Sequence, residues 1–82
     1  MIHKEVLDMI VAQILIQHEA KGDDHFTLTC FLERGEGAEA IATQVEEFRQ
    51  AFYDLDRMVT VKSDGIGPYI DTFEVDIHIL KG

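Results

Sequence analysis

Disulfides are excluded at once, because the eighty-two residues contain a single cysteine, Cys30. It lies within an apolar run with no second thiol or obvious base beside it, which fits a reducing compartment. Long hydrophobic runs are missing too: no stretch of about 18 uncharged apolar residues exists to span a bilayer. The opening residues MIHKEVLDM carry acids where a signal peptide would place bases and then an apolar segment. The expected location is therefore cytoplasmic, with no membrane partner. Positive charge is scarce, with 7 Lys and Arg against 16 Asp and Glu, a net charge of −9. The acids run along the whole chain and leave no basic stripe to neutralise phosphates, so direct nucleic-acid binding is not expected.

What is present is the composition of a folded domain, 46% hydrophobic and 28% charged. The length suits a single domain spanning residues 1–82. A core of that size supplies only about 3–5 kcal/mol of net stability, so partner subunits are a common supplement.

Residues 2–19 lack Gly and Pro. At 100° per residue Lys4, Glu5, Asp8 and Glu19 gather in one sector, while Ile2, Val6, Met9, Ile10, Ile14 and Ile16 fill a wide opposite arc. The pattern predicts a helix, although residues 10–16 also alternate as a strand would. The AKGDDH segment, 20–25, reads as a turn. HFTLTCFLER then alternates, with Phe26, Leu28, Cys30 and Leu32 on one face and Thr27, Thr29, Phe31 and Glu33 on the other, which predicts a strand. Beyond the glycines of RGEG, Ile41, Val45, Phe48 and Phe52 recur at helical spacing, with Glu36 and Glu39 near the positive end of that helix. The last third reads as a hairpin: MVTVK, a turn in SDGIGPY with Pro68 at the turn or a sheet edge, and a strand carrying Phe73, Val75, Ile77 and Ile79. The expected fold is α+β, two helices on a mostly antiparallel sheet of at least three strands, in the order helix, strand, helix, strand, strand.

Chemistry-bearing patterns are thin. His18, Asp23, Asp24 and His25 crowd around a turn and could offer nitrogen and oxygen ligands. They match no metal-binding spacing and read as a solvated turn. His3 and His78 stand far apart, and alternation puts His78 on the face opposite Ile77. Ser63 is the only serine, and Cys30 falls on the apolar side of its strand, where burial makes a thiol inert. The glycines of SDGIGPY lack the lysine and strand-to-helix setting of a phosphate loop. No catalytic residue, cofactor or metal is expected.

Shape is the remaining signal. With Phe73, Val75, Ile77 and Ile79 inside, the outer sheet face carries Phe31, Met58, Ile70 and Leu80 among Thr27, Thr29, Thr60, Lys62, Thr72, Glu74, Asp76 and His78. Those four apolar residues are the candidate interface, and the apolar girdle at 9–16 points the same way. The expected function is a non-enzymatic assembly or adaptor domain, a homo-oligomer that contacts other proteins. The alternative is an acidic inhibitor or nucleic-acid mimic presenting Glu36, Glu39, Glu46, Glu47, Asp54 and Asp56 to a basic protein surface.

From residue 26 onward, FTLTCFLERGEGAEAIATQVEEFRQAFYDL, VTVKSDGIGPY and DTFEVDIHIL resemble the tail-terminator and minor-capsid proteins of tailed bacteriophages. Arg34 and Gly35 match the strand-to-helix junction of that family, and Asp64 to Tyr69 its glycine-containing turn. The chain is shorter than is usual there, and strands normally preceding the Arg-Gly strand are partly missing. The resemblance implies ring or interface assembly between head and tail, a virion location, and no enzymatic residues.

Overall fold

Two helices pack on one face of a three-stranded antiparallel sheet in the computed structural model, which describes residues 2–63 and 71–80. Helix α1 spans Lys4–Lys21, strand β1 His25–Phe31, helix α2 Ala38–Asp54, strand β2 Val59–Lys62 and strand β3 Thr72–Ile79. The α+β order matches the alternation and spacing of the sequence. The first segment is helical from Lys4 onward, so the strand option for its second half does not hold. Its end is set by Gly22, whose left-handed φ of 76° lets its N–H donate to the His18 carbonyl. Helix α2 ends differently: Asp56 takes φ 58°, and the Arg57 N–H returns to the Phe52 carbonyl at 3.0 Å.

Strand β3 occupies the centre, flanked by β1 and β2 in the order β1-β3-β2. Strands β1 and β2 therefore run the same way, joined by the crossover through α2, with β3 inserted antiparallel between them. The turn read in SDGIGPY, and with it Ile70 and Pro68, lies outside the described residues.

The core is a cluster in which Phe48 and Phe52 of α2 and Leu7, Val11 and Ile14 of α1 meet Cys30, Val61, Phe73, Val75, Ile77 and Ile79. Leu28, Ile41, Val45 and Val59 pack on it half-buried. Helix α1 faces differently from the wide arc its sequence suggests. The buried seam is Leu7, Val11 and Ile14, whereas Val6, Met9 and Ile16 are exposed. An apolar girdle leaves the facing of a helix undetermined, and here the seam at spacings of four and three wins. Gln44 is fully buried between the layers. Its Oε1 accepts the Ile2 N–H at 3.1 Å, and its Nε2 has no partner among the described residues. Thr72, expected on the wet face, is 5% exposed.

Candidate functional site

Sheet register decides which backbone groups are left over. The Ile79 N–H donates to the Asp24 carbonyl at 2.8 Å, and the Leu32 N–H to the Asp71 carbonyl at 2.7 Å. Hydrogen-bonded pairs alternate along an antiparallel ladder, so Phe26, Leu28 and Cys30 turn their N–H and C=O groups to β3. His25, Thr27, Thr29 and Phe31 turn theirs outward, and no backbone partner meets them among the described residues. The strand has no Lys, Arg, Asp, Glu or Pro. None of the usual devices that blunt a sheet edge is present on it.

Alongside that edge, α1 and β1 enclose an open groove of about 460 Å³, lined by Val6, Met9, Ile10 and Gln13 from the helix and by Phe26 and Leu28 from the strand. No charged residue lines it. Apart from Val6, its helical wall belongs to the stretch MIVAQILIQ, 9–17, which is free of charge in a chain carrying −9. Met9 is 68% exposed and Val6 47%, so apolar surface faces water beside unpaired backbone.

Of the candidate interface residues, Phe31 ends β1 itself, while Met58 and Leu80 lie apart from that edge. Phe31, Met58 and Leu80 are all exposed. Met58 and Leu80 sit together at one end of the outer sheet face, where the Leu80 N–H donates to the Met58 carbonyl at 2.9 Å. Phe31 pairs with Thr72 at the other end. Nearly the whole of β3 separates the two spots, roughly 25 Å at about 3.4 Å per residue. Between them lie polar rows, with Thr27 and Lys62 flanking Asp76 and with Thr29 opposite Glu74. Phe31 belongs to the bare edge of β1, while Met58 and Leu80 form a separate small spot.

The polar turn is rearranged relative to its sequence grouping. His18 turns its Nδ1 to the Asp23 carbonyl at 2.7 Å, which ties the end of α1 to the turn. Asp24 and His25 do meet, Oδ1 to Nδ1 at 3.2 Å. The third member of that group is His78, which the register sets directly opposite His25. The two imidazoles stack with centroids 4.0 Å apart. Sequence reading missed His78 because only the pairing of β1 with β3 brings it there.

The acids of α2 do not form a bare ridge. Glu46 is paired with Arg49, and Asp54 accepts from Gln50 at 2.8 Å. The Lys4 ammonium is held above its ordinary pKa, first by its hydrogen bond to Asp8 and further by the charges of Asp8, Asp54 and Glu47. Among the described residues, no helix is long and apolar enough to cross a membrane. No protein-family model matches the chain, and no curated protein or solved structure shows significant similarity to it.

Proposed function

We propose that this chain is a non-enzymatic assembly domain that pairs with a second copy of itself along β1. The observation that carries this reading is the coincidence of an open, uncharged strand edge with an uncharged apolar groove, in a protein that is otherwise strongly acidic. Two copies at −9 each repel wherever acids face one another. Charges more than about 8 Å apart are largely screened at physiological salt, so the surface without acids is where a second copy is tolerated.

The strand is self-complementary. A two-fold axis through Leu28 sets Thr27 against Thr29 of the second copy and His25 against its Phe31, with outward N–H and C=O groups facing one another. Threonine pairs of that kind contribute roughly 0.2–1 kcal/mol each relative to alanine. The same axis brings the exposed sides of the two α1 helices together over the joint, where Met9 and Val6 fill the grooves. The sheet then grows from three strands to six without disturbing either core. The resemblance to head-and-tail proteins of bacteriophages supports a finer reading, a virion component whose copies build a ring or connector beside other proteins.

Thr29→Pro is the decisive variant. The Thr29 N–H points outward, so proline removes no bond to β3 but leaves the edge unable to pair. Light scattering should give a dimer for the native protein and a monomer with unchanged far-ultraviolet circular dichroism for Thr29→Pro. A native protein that stays monodisperse and monomeric at high concentration and high salt overturns the reading, and moves the acidic-inhibitor function to first place.

A further inference from the structure

We propose that Asp24, His25 and His78 form a binding site for a divalent transition-metal ion of the zinc–copper class, on the sheet face away from the helices. The ligand set follows from register. His25 and His78 are a non-hydrogen-bonded cross-strand pair, the arrangement in which Cα atoms approach to about 4.5 Å and side chains stand closest. Their rings stack at 4.0 Å with 14° between planes. Asp24 precedes β1 and reaches both: its Oδ1 is 3.2 Å from His25 Nδ1 and its Oδ2 is 4.0 Å from His78 Nε2. One ligand atom from each of the three lies within 4.8 Å of the other two.

Zinc bound by imidazole and carboxylate at about 2.0–2.2 Å in a tetrahedron needs its ligand atoms roughly 3.4 Å apart. The side chains of His25, His78 and Asp24 are 74%, 41% and 40% exposed, so ring rotation can close that gap without moving backbone. The backbone beneath them is fixed. The Asp24 carbonyl extends the ladder to Ile79, His18 holds the Asp23 carbonyl, and Gly22 turns the chain. Two imidazoles and one carboxylate leave the fourth position of a tetrahedral ion to water or to a donor from a partner. A shallow depression of about 320 Å³ extends beside the pair, bordered by Thr60, Lys62 and Asp76. Imidazole with carboxylate suits zinc and copper over calcium or magnesium, which prefer oxygen alone. All three ligands come from one chain, so the site stands or falls apart from pairing along β1.

Zinc chloride titrated by calorimetry into the full chain, without an affinity tag, tests the site. One ion per chain is expected. Because all three side chains reach solvent, His25→Ala and His78→Ala should fold normally. Each should weaken binding by at least the roughly 10–100-fold that loss of a mere outer-shell partner causes. Asp24→Asn should weaken it, and His3→Ala should not. With copper, electron paramagnetic resonance should register two nitrogen ligands, falling to one in His78→Ala. Thr29→Pro should bind as the native chain does. Native-like affinity in His78→Ala, equal losses in His3→Ala, or no zinc uptake at millimolar concentration would each overturn the assignment.

Discussion

The sheet has two edges, and they are finished in opposite ways. On the β2 side the outward carbonyl of Val61 is met by Arg49 Nη2 at 3.4 Å, and Arg49 is itself tied to Glu46. That strand is short, Val59–Lys62, and ends on a lysine. Shortness, charge and cover are the means by which proteins keep a strand edge from recruiting another chain. On the β1 side none of these appears along His25–Phe31, and the neighbouring helix offers apolar surface in place of an arginine. One fold thus carries a guarded edge and an open one. The open edge therefore cannot be put down to a small protein's general inability to cover itself.

Truncation at the centre of the core should weaken the guarded and the open edge alike. Phe48 is fully buried in the core cluster that also holds Cys30 of β1 and Val61 of β2, so Phe48→Ala should cost about 3–5 kcal/mol. Against the small net stability of such a domain, that should leave the chain largely unfolded by circular dichroism at 25 °C. An unmoved melting temperature would mean that α2 does not face the sheet through Phe48.

Arg49→Met removes the guard from β2, and because Arg49 is an exposed partner in a surface ion pair, monomer stability should change by less than about 1 kcal/mol. Assembly should change more. With both edges open, a two-fold dimer gains a way to extend, and light scattering at high concentration should show species larger than the dimer. If Arg49→Met keeps the native particle size, the short length of β2 is guard enough.

Much of this contrast was legible in the sequence, and the reasons for the rest are physical. The alternation of Phe26, Leu28 and Cys30 against Thr27, Thr29 and Phe31 marks a half-buried strand, and Phe48 and Phe52 mark the core face of α2. What alternation cannot say is which strand lies in the middle. That depends on β3 inserting between β1 and β2, and the open edge exists only once this order is known. The facing of α1 was hidden for another reason: residues 9–17 carry no charge, so Leu7, Val11 and Ile14 look no more inward than Val6, Met9 and Ile16. Local crowding drew His18 and Asp23 into one group with Asp24 and His25, yet the register supplies His78 from the far end of the chain.

A smaller effect measures how firmly the open edge is held on its inner side. Cys30 belongs to β1 but faces the core, and burial pushes its thiol above the ordinary value of 9.0. The folded chain therefore keeps its proton where the unfolded chain releases it. This contribution to stability is full below pH 9.0 and declines as pH rises through the raised folded value. Alkylation at pH 8 should accordingly be far slower in the native protein than in urea. Equal rates would show that β1 detaches from β3 on the timescale of labelling, and an edge that detaches is no platform for a second copy.

The support of α1 beside the open edge should matter least to stability. Gln44 holds the N-terminal approach to that helix by accepting the Ile2 N–H, but its own Nε2 is buried without a partner among the described residues. An unsatisfied buried donor costs about 1–3 kcal/mol, and a typical hydrogen bond returns about 0.5–1.5 kcal/mol, so the two roughly offset or favour removal. Gln44→Met keeps the volume and discards both. Stability in urea should stay within about 1 kcal/mol of native, on the stabilising side if either. Because Leu7, Val11 and Ile14 fix α1 against the core independently of Ile2, the dimer should form at the same concentration as before. A loss of more than about 2 kcal/mol would mean that the Nε2 donor is satisfied after all. A weakened dimer at unchanged stability would mean that the Ile2 anchor, more than the buried seam, sets the width of the groove beside β1.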